Sequence, residues 1–152
     1  MLLGLITCLA VVNYGVYHPF LVRTELNRLY AAFVYVRRKA LLEGRTQRII
    51  FYEGERSFTV DTTQYLAPQV LFVVPQKVKG PPGNPTKVIT RAITFKNSIL
   101  EAYQDGTLSA GTLYLADEAR SCLYALTTDA SAITGLRRYR YIFSSQVWKP
   151  LE

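Results

Sequence analysis

Few side chains in this sequence are of the types that enzymes use as nucleophiles, bases or metal ligands, and their spacing does not bring them together. The chain has one histidine, His18, and two cysteines, Cys8 and Cys122, far apart in the sequence. It contains no zinc-ligand spacing, nucleophile elbow or glycine-rich phosphate loop. Asp117 and Glu118 form an acidic pair at a predicted turn, where solvated carboxylates are much commoner than metal ligands. We therefore expect a protein that is not an enzyme and holds no cofactor or metal ion.

The strongest candidate for binding is the basic and aromatic run LRRYRY near the C-terminus. On a strand, Arg138 and Arg140 share one face, whereas Arg137, Tyr139 and Tyr141 share the other. Arginine can form paired hydrogen bonds to phosphate, and an exposed tyrosine can stack on a base. The formal net charge of +7 also favours anionic partners. The run is either an edge strand with solvated or salt-bridged cations, or a site for DNA or another anion at Arg137, Arg138, Tyr139 and Arg140.

The first 43 residues are predicted to form one long helix, and its first half is free of charged side chains. Residues 1–22 contain no Asp, Glu, Lys or Arg. At about 1.5 Å per residue they would span roughly 33 Å, close to the hydrocarbon thickness of a bilayer. No basic segment precedes the apolar run, so a cleaved secretory signal is the less favoured alternative. We interpret residues 1–22 as the transmembrane half of this long helix, with anchor positions Leu2, Leu3, Leu5, Ile6, Leu9, Val12 and Pro19.

The second half of the helix, residues 23–43, is predicted to be amphipathic. Its apolar side chains recur at steps of three and four, which places them on one helix face. They are Val22, Leu26, Leu29, Phe33, Val36 and Ala40. Gly44 follows and is a typical helix stop. We expect this face to pack on the rest of the chain, so that residues 23–152 form one globular domain.

Short β-prone runs separated by turn residues fill the rest of the sequence. We predict an exposed loop over 79–85 and strands over residues 47–53, 56–60, 69–74, 87–96, 112–116, 122–127 and 135–143. The short connections favour antiparallel pairing. The expected fold class is therefore α+β, with a long N-terminal stalk helix packed on an antiparallel β-sheet body.

This order of elements, with these residues, resembles the type IV pilin superfamily, and within it the minor pseudopilins of the FimT/GspH type. The start LLGLITCLAVVNYGVYHPF and the following LNRLYAAFVYVRRKALLEGRTQRIIF are similar to the family's stalk helix and first strand. The segment AGTLYLADEARSCLYALTTDASAITGLRRYRY is similar to its final strands. The family's basic leader and Phe-Thr-Leu-Ile-Glu-like start are not found. Either they lie upstream of Met1 or this member is not processed, and no processing site is assigned.

The resemblance implies a structural role. Such a subunit is held in the bacterial inner membrane with its body outside the cytoplasm, and is then extracted into a type II secretion pseudopilus or a type IV pilus. Its partners would be other pilin or pseudopilin subunits, the inner-membrane assembly platform and the membrane. Some FimT-like pilins take up DNA through a comparable C-terminal segment, so a pilin-like DNA receptor is the alternative function. A single-pass anchored envelope protein without a filament is the third interpretation.

Overall fold

The computed structural model describes residues 2–82, 85–129 and 135–152, with side chains from Tyr17 onward. The chain begins with one long helix, α1, Leu2–Glu43, which includes Pro19. Proline lacks the amide hydrogen for the usual intrahelical bond, yet α1 continues through it. Gly44 ends the helix with a φ of +61°, a left-handed conformation that glycine adopts readily.

Nine short strands follow α1 in the described residues, and every pairing between them is antiparallel. A four-stranded sheet has the order β3-β2-β1-β5, and a five-stranded sheet has the order β4-β6-β7-β8-β9. The strands are β1 Gln47–Tyr52, β2 Ser57–Thr59, β3 Thr63–Tyr65, β4 Val70–Leu71, β5 Ile99–Ala102, β6 Gly111–Asp117, β7 Leu123–Thr128, β8 Leu136–Ile142 and β9 Val147–Pro150. A 3-10 turn, Lys96–Ser98, precedes β5. The predicted α+β class is confirmed, with two sheets in place of one.

The main core lies between α1 and the inner faces of both sheets. The six residues of the predicted apolar helix face are all buried, each at most 1% exposed: Val22, Leu26, Leu29, Phe33, Val36 and Ala40. Phe33 lies at the centre, with ring centroids 6.0 Å from those of Phe51 and Phe95. Phe51 and Phe95 stack on each other at 5.9 Å. The amphipathic pattern of α1 therefore brings the two sheets together around one aromatic cluster.

A second, smaller core covers the outer face of the five-stranded sheet. It includes the buried rings of Tyr114, Tyr139 and Tyr141. The indole of Trp148 lies against Tyr114 and Tyr141, and its Nε1 donates a hydrogen bond to the backbone oxygen of Lys79 at 2.8 Å. No helix covers this face in the residues that the structure describes. The irregular segment between β4 and β5 covers it instead.

The structure differs from the sequence prediction in three segments, two predicted strands and one predicted exposed loop. The strand predicted over 87–96 is reduced to isolated bridges, Lys79 with Val88 and Ile93 with Leu113. Pairing stops beyond Ile93 because the chain turns inward to bury Phe95 and then enters the 3-10 turn.

The apolar run 69–74 forms a strand only at Val70–Leu71. Its other apolar side chains, such as Phe72, pack in the core without strand pairing. In the predicted exposed loop 79–85, Gly80 and Pro81 are buried, because the segment folds back over the sheet. Three strands, β3, β5 and β9, were not among the predicted ones.

Within the described part of the chain, no helix combines the length and the apolar character needed to cross a membrane. The side chains of Leu2, Leu3, Leu5, Ile6, Leu9 and Val12 lie outside the described residues. The division of the chain at residue 22 therefore stays a prediction.

Candidate functional site

Strand β8 carries the basic residues that the sequence singled out, and its alternation divides them between two faces. Arg138 lies on the face toward α1, where its Nη1 donates a hydrogen bond to Asn27 Oδ1 at 2.7 Å. Its guanidinium carbon lies 4.6 Å from the ring centroid of Tyr30, a cation–π contact, and its Nη2 donates to the backbone oxygen of Glu152. Arg138 therefore connects β8 and the C-terminus to α1 through side-chain contacts.

The other three residues of the predicted DNA or anion site lie in different environments. Arg140 is exposed and shares the face of Arg138. Arg137 is exposed on the opposite face. Tyr139 is only 7% exposed and packs in the second core, so it is not the exposed ring that base stacking requires. The structure does not gather the four predicted residues into one surface, and DNA binding by this strand stays a prediction.

A groove of about 790 Å³ lies on the outer face of the five-stranded sheet, and we call it the outer groove. One wall is formed by residues within 80–94, and the other by the adjoining ends of β6, β7 and β8. Its lining includes the buried ring of Tyr114. Burial raises the pKa of Tyr114 to about 12, so its hydroxyl is neutral at physiological pH.

The charge in the outer groove is mainly positive. Lys87, Arg91 and Arg137 line it and are exposed, against one carboxylate, Asp129. Among the described residues, none of these three cations takes part in an ion pair. A concave surface lined by unpaired cations is suited to an anionic group.

Asp117 lies at the other end of the same sheet and is a buried acid whose carboxylate is hydrogen-bonded. It is 1% exposed. Its carboxylate accepts hydrogen bonds from the backbone nitrogen of Ser121 at 2.7 Å and of Cys122 at 3.1 Å, and from Ser121 Oγ at 2.5 Å. Burial alone would raise the pKa of Asp117, but these bonds outweigh it and hold the pKa below the ordinary value of 3.8. The sequence interpretation of Asp117 as a solvated turn carboxylate is therefore wrong, although Glu118 is exposed.

His18 and Cys122 adjoin Asp117, but their geometry is not that of a catalytic relay. His18 Nδ1 lies 3.8 Å from Asp117 Oδ2, while the hydroxyl of Ser121 donates to the carboxylate rather than to the imidazole. Burial, together with the charge of Asp117, raises the pKa of Cys122 to about 12, so its thiol is protonated and unreactive at neutral pH. Among the described residues, no three His, Cys, Asp or Glu side chains are grouped to hold a metal ion.

The exposed face of α1 is the other candidate site, and it is partly aromatic. Tyr17 and Phe20 are 54% and 66% exposed, near the point where the helix meets the sheets. Among the side chains of α1 that the structure describes, Val22 is the first that is fully buried. The helical residues before it, 2–21, would extend about 30 Å at 1.5 Å per residue. Exposed aromatic side chains on a helix of this length indicate a surface for another protein or for lipid.

Sequence reasoning missed Lys87 and Arg91, because they lie in a segment that was predicted to be a regular strand. It also missed Glu25, a helix acid that is only 6% exposed. Burial raises the pKa of Glu25, while the charge of Arg28, whose Nη1 lies 3.4 Å away, opposes that effect. The position of Glu25 between the buried Val22 and Leu26 was the only signal in the sequence.

The fold is a long N-terminal helix packed through its C-terminal half on antiparallel sheets. The structure is similar to that of the minor pseudopilin EpsH from the type 2 secretion system of Vibrio cholerae, with a TM-score of 0.52 over 86% of this chain and 95% of that chain. The two sequences are 10% identical, so the similarity concerns the fold. Neither a family model nor a curated protein sequence matches the chain.

Proposed function

We propose that this chain is a minor pilin or pseudopilin, a structural rather than catalytic subunit of a filament in the bacterial cell envelope. The observation that carries the proposal is the pilin-like fold shared with EpsH. The exposed aromatic side chains of Tyr17 and Phe20 support it, because a filament subunit needs a helix surface for its neighbours. The filament would be a type II secretion pseudopilus, by analogy with EpsH, or a type IV pilus.

Before assembly, residues 1–22 would anchor the subunit in the inner membrane as a single pass, with the body outside the cytoplasm. Their lack of Asp, Glu, Lys and Arg supports this part of the proposal. On extraction by the assembly platform, Leu2, Leu3, Leu5, Ile6, Leu9, Val12 and Pro19 would exchange lipid for neighbouring helices. That exchange is nearly neutral in hydrophobic free energy, because lipid tails and apolar side chains are similarly apolar.

The filament proposal is tested by fractionation of the organism that carries the chain. An epitope-tagged copy is expected in the filament fraction sheared from wild-type cells, and is expected to be absent from that fraction when the assembly ATPase is deleted. A tagged chain that stays with the membranes in both strains would contradict the proposal. It would favour a single-pass envelope protein without a filament.

Processing is a separate part of the proposal and has its own test. We expect the native protein to carry a cleaved and N-methylated N-terminus that arises from a longer precursor with a basic leader. Mass spectrometry of the N-terminal peptide from native membranes measures this. An unmethylated N-terminus at Met1 would contradict processing. It would not bear on whether the chain enters a filament, which the fractionation measures separately.

A second candidate function is DNA uptake, which is favoured by the exposed cations of β8 and of the outer groove. Binding of a DNA duplex would fall steeply with salt, since phosphate contacts release counterions. Because Arg138 is engaged with α1, the informative variants are Arg137→Ala and Arg140→Ala. Unchanged affinity in both variants, or no binding at low salt, would contradict a DNA receptor.

A further inference from the structure

We propose that the outer groove of one copy of this chain binds the acidic turn of a second copy, head to tail. The acidic turn is Glu53-Gly54-Glu55, between β1 and β2. The inference deepens the proposed function and rests on it for its setting. A head-to-tail contact between unlike surfaces does not close into a two-fold dimer, and it builds an open filament where the rotation between copies does not close a ring.

The outer groove supplies the positive half of the contact. Lys87, Arg91 and Arg137 are exposed along it. At about 790 Å³, its volume lies within the roughly 300–1,000 Å³ range of sites that enclose a small ligand. The occupant must therefore be anionic and no larger at its tip than a tight turn or a few side chains.

The acidic turn supplies the negative half. Glu53, Gly54 and Glu55 are all exposed, and in the described residues neither carboxylate has an ion-pair partner. The adjacent Arg56 does not neutralise them, because its Nη1 donates to the backbone oxygen of Pro68 and lies 3.7 Å from Glu118. Two unpaired carboxylates are thus presented at the tip of a hairpin.

The two surfaces lie at opposite ends of the body, as a head-to-tail contact requires. Asp117 lies at one end of β6, close to His18. The next residue, Glu118, contacts Arg56, which directly follows the acidic turn. Gly111 marks the other end of β6, where its α-carbon lies against Phe95, and the groove opens there beside Thr112 and Gly135. A copy displaced along the axis of α1 would bring its acidic turn toward the groove of the copy before it.

A nucleic acid is the competing anionic occupant, and the observations favour a protein. Pro81 and Ile89 add apolar lining, which suits a peptide turn better than a row of phosphates. The acidic turn matches the three cations with two carboxylates.

Carbodiimide coupling tests the contact directly, because it joins a lysine amine to a carboxylate only when the two groups touch. An equal mixture of unlabelled and isotope-labelled full-length chains in mild detergent is expected to yield mixed-isotope peptides that join Lys87 to Glu53 or Glu55. We expect the Arg91→Glu and Arg137→Glu double variant to lower their yield about tenfold or more, since like charges then face each other. The control with the same charge change at exposed sites outside the groove, Lys96→Glu with Arg120→Glu, is expected to leave it unchanged.

Exchanging the charges of the outer groove and the acidic turn controls for indirect effects of the substitutions on association. Neither the groove double variant nor the turn double variant, Glu53→Lys with Glu55→Lys, is expected to self-associate in sedimentation velocity. Their mixture is expected to associate, because the reversed groove then faces a reversed turn. Failure of the mixture to associate would overturn the inference.

The remaining outcomes separate this inference from the proposed function. Absence of the Lys87 cross-links in a chain that still enters the sheared filament fraction would overturn the inference and leave the filament role standing. The cross-links in a chain that never enters that fraction would support the contact and contradict the filament role. DNA binding that depends on Arg91 and Arg137, without the cross-links, would overturn the inference and assign the groove to nucleic acid.

Discussion

The two faces of the five-stranded sheet are covered in different ways. On the inner face, Leu113, Leu115 and Leu126 are fully buried in the core that includes the regular apolar surface of α1. On the outer face, the rings of Tyr114 and Tyr139 are buried under irregular chain, and the cover leaves a groove lined by unpaired cations.

This difference separates what holds the fold together from what is free to bind. Two charged groups on the inner side, Arg138 and Asp117, are partnered within the chain. Arg138 contacts Asn27 and Tyr30, and Asp117 accepts hydrogen bonds from Ser121 and Cys122. The charged groups of the outer groove, apart from Asp129, have no ion-pair partner in the part of the chain that the structure describes. We therefore expect substitutions on the inner side to change stability and those on the outer side to change association.

The largest expected effect is at the centre of the inner core. Phe33→Ala removes a fully buried ring that contacts Phe51 and Phe95, and we expect a loss of about 3–5 kcal/mol in the free energy of unfolding. Urea unfolding of the full chain in mild detergent measures it. Leu42→Ala is the control on the same helix, since Leu42 is 88% exposed, and should change stability by no more than about 0.5 kcal/mol. Equal losses in the two variants would contradict the assignment of the core.

The next largest effect is expected at Asp117. Asp117→Asn keeps one oxygen that can accept from the backbone nitrogens of Ser121 and Cys122. It removes the negative charge and the second acceptor oxygen, which binds the Ser121 hydroxyl, at a cost of about 2 kcal/mol at neutral pH. Glu118→Gln alters the exposed neighbour and should cost less than about 0.5 kcal/mol. Similar losses in both would show that Asp117 is solvated, as the sequence alone suggested.

The same variant has a defined pH dependence. The pKa of Asp117 is lowered in the folded state, so its contribution is complete above the ordinary value of 3.8 and is lost as the pH falls through the lower folded value. The difference in unfolding free energy between wild type and Asp117→Asn should therefore narrow as the pH is lowered below 3.8. A difference that widens on acidification would mean that the folded pKa is raised.

Gly111→Ala probes the boundary between the two faces. A β-carbon at Gly111 would lie 2.4 Å from Cδ1 of Phe95, a fully buried ring that has little room to move. We expect a loss of about 1–3 kcal/mol from overpacking, measured by thermal unfolding. Gly54→Ala is the matched control, because no atom lies within 4 Å of its β-carbon. A Gly111→Ala variant as stable as Gly54→Ala would contradict the close approach of Phe95.

The smallest expected change in stability distinguishes the two faces of the five-stranded sheet most directly, because Arg137 and Arg138 are neighbours on β8. Arg138→Ala removes the contacts to Asn27 and Tyr30 and should destabilise the chain by about 1 kcal/mol. Arg137→Ala should leave stability unchanged and weaken association with the acidic turn. If both variants had the same effect on both properties, the division of β8 into two roles would be wrong.

The inner side was largely predictable from the sequence. Side chains at steps of three and four on α1 marked the buried face correctly from Val22 to Ala40, because helix periodicity records burial directly. Alternation on β8 likewise placed Arg138 and Arg137 on opposite faces.

The outer side was not predictable in the same way. Alternating residues over 87–96 suggested a strand, but alternation does not reveal whether a partner strand is present, and only single bridges form there. The groove depends on this irregular segment lying beside the ends of β7 and β8, a contact between distant parts of the sequence. Asp117 was misjudged for a related reason, because its burial follows from hydrogen bonds that only the folded turn provides.

The central proposal is that the exposed part of α1 packs against the subunits of a pilin-type filament, and photo-cross-linking at Phe20 tests it most directly. A benzophenone amino acid at this position, which is 66% exposed, should react with whatever covers the helix in assembling cells. We predict adducts whose partner peptides come from pilin or pseudopilin helices and which disappear when the assembly ATPase is deleted. Adducts with lipid alone, or with proteins unrelated to pilins, would contradict the account.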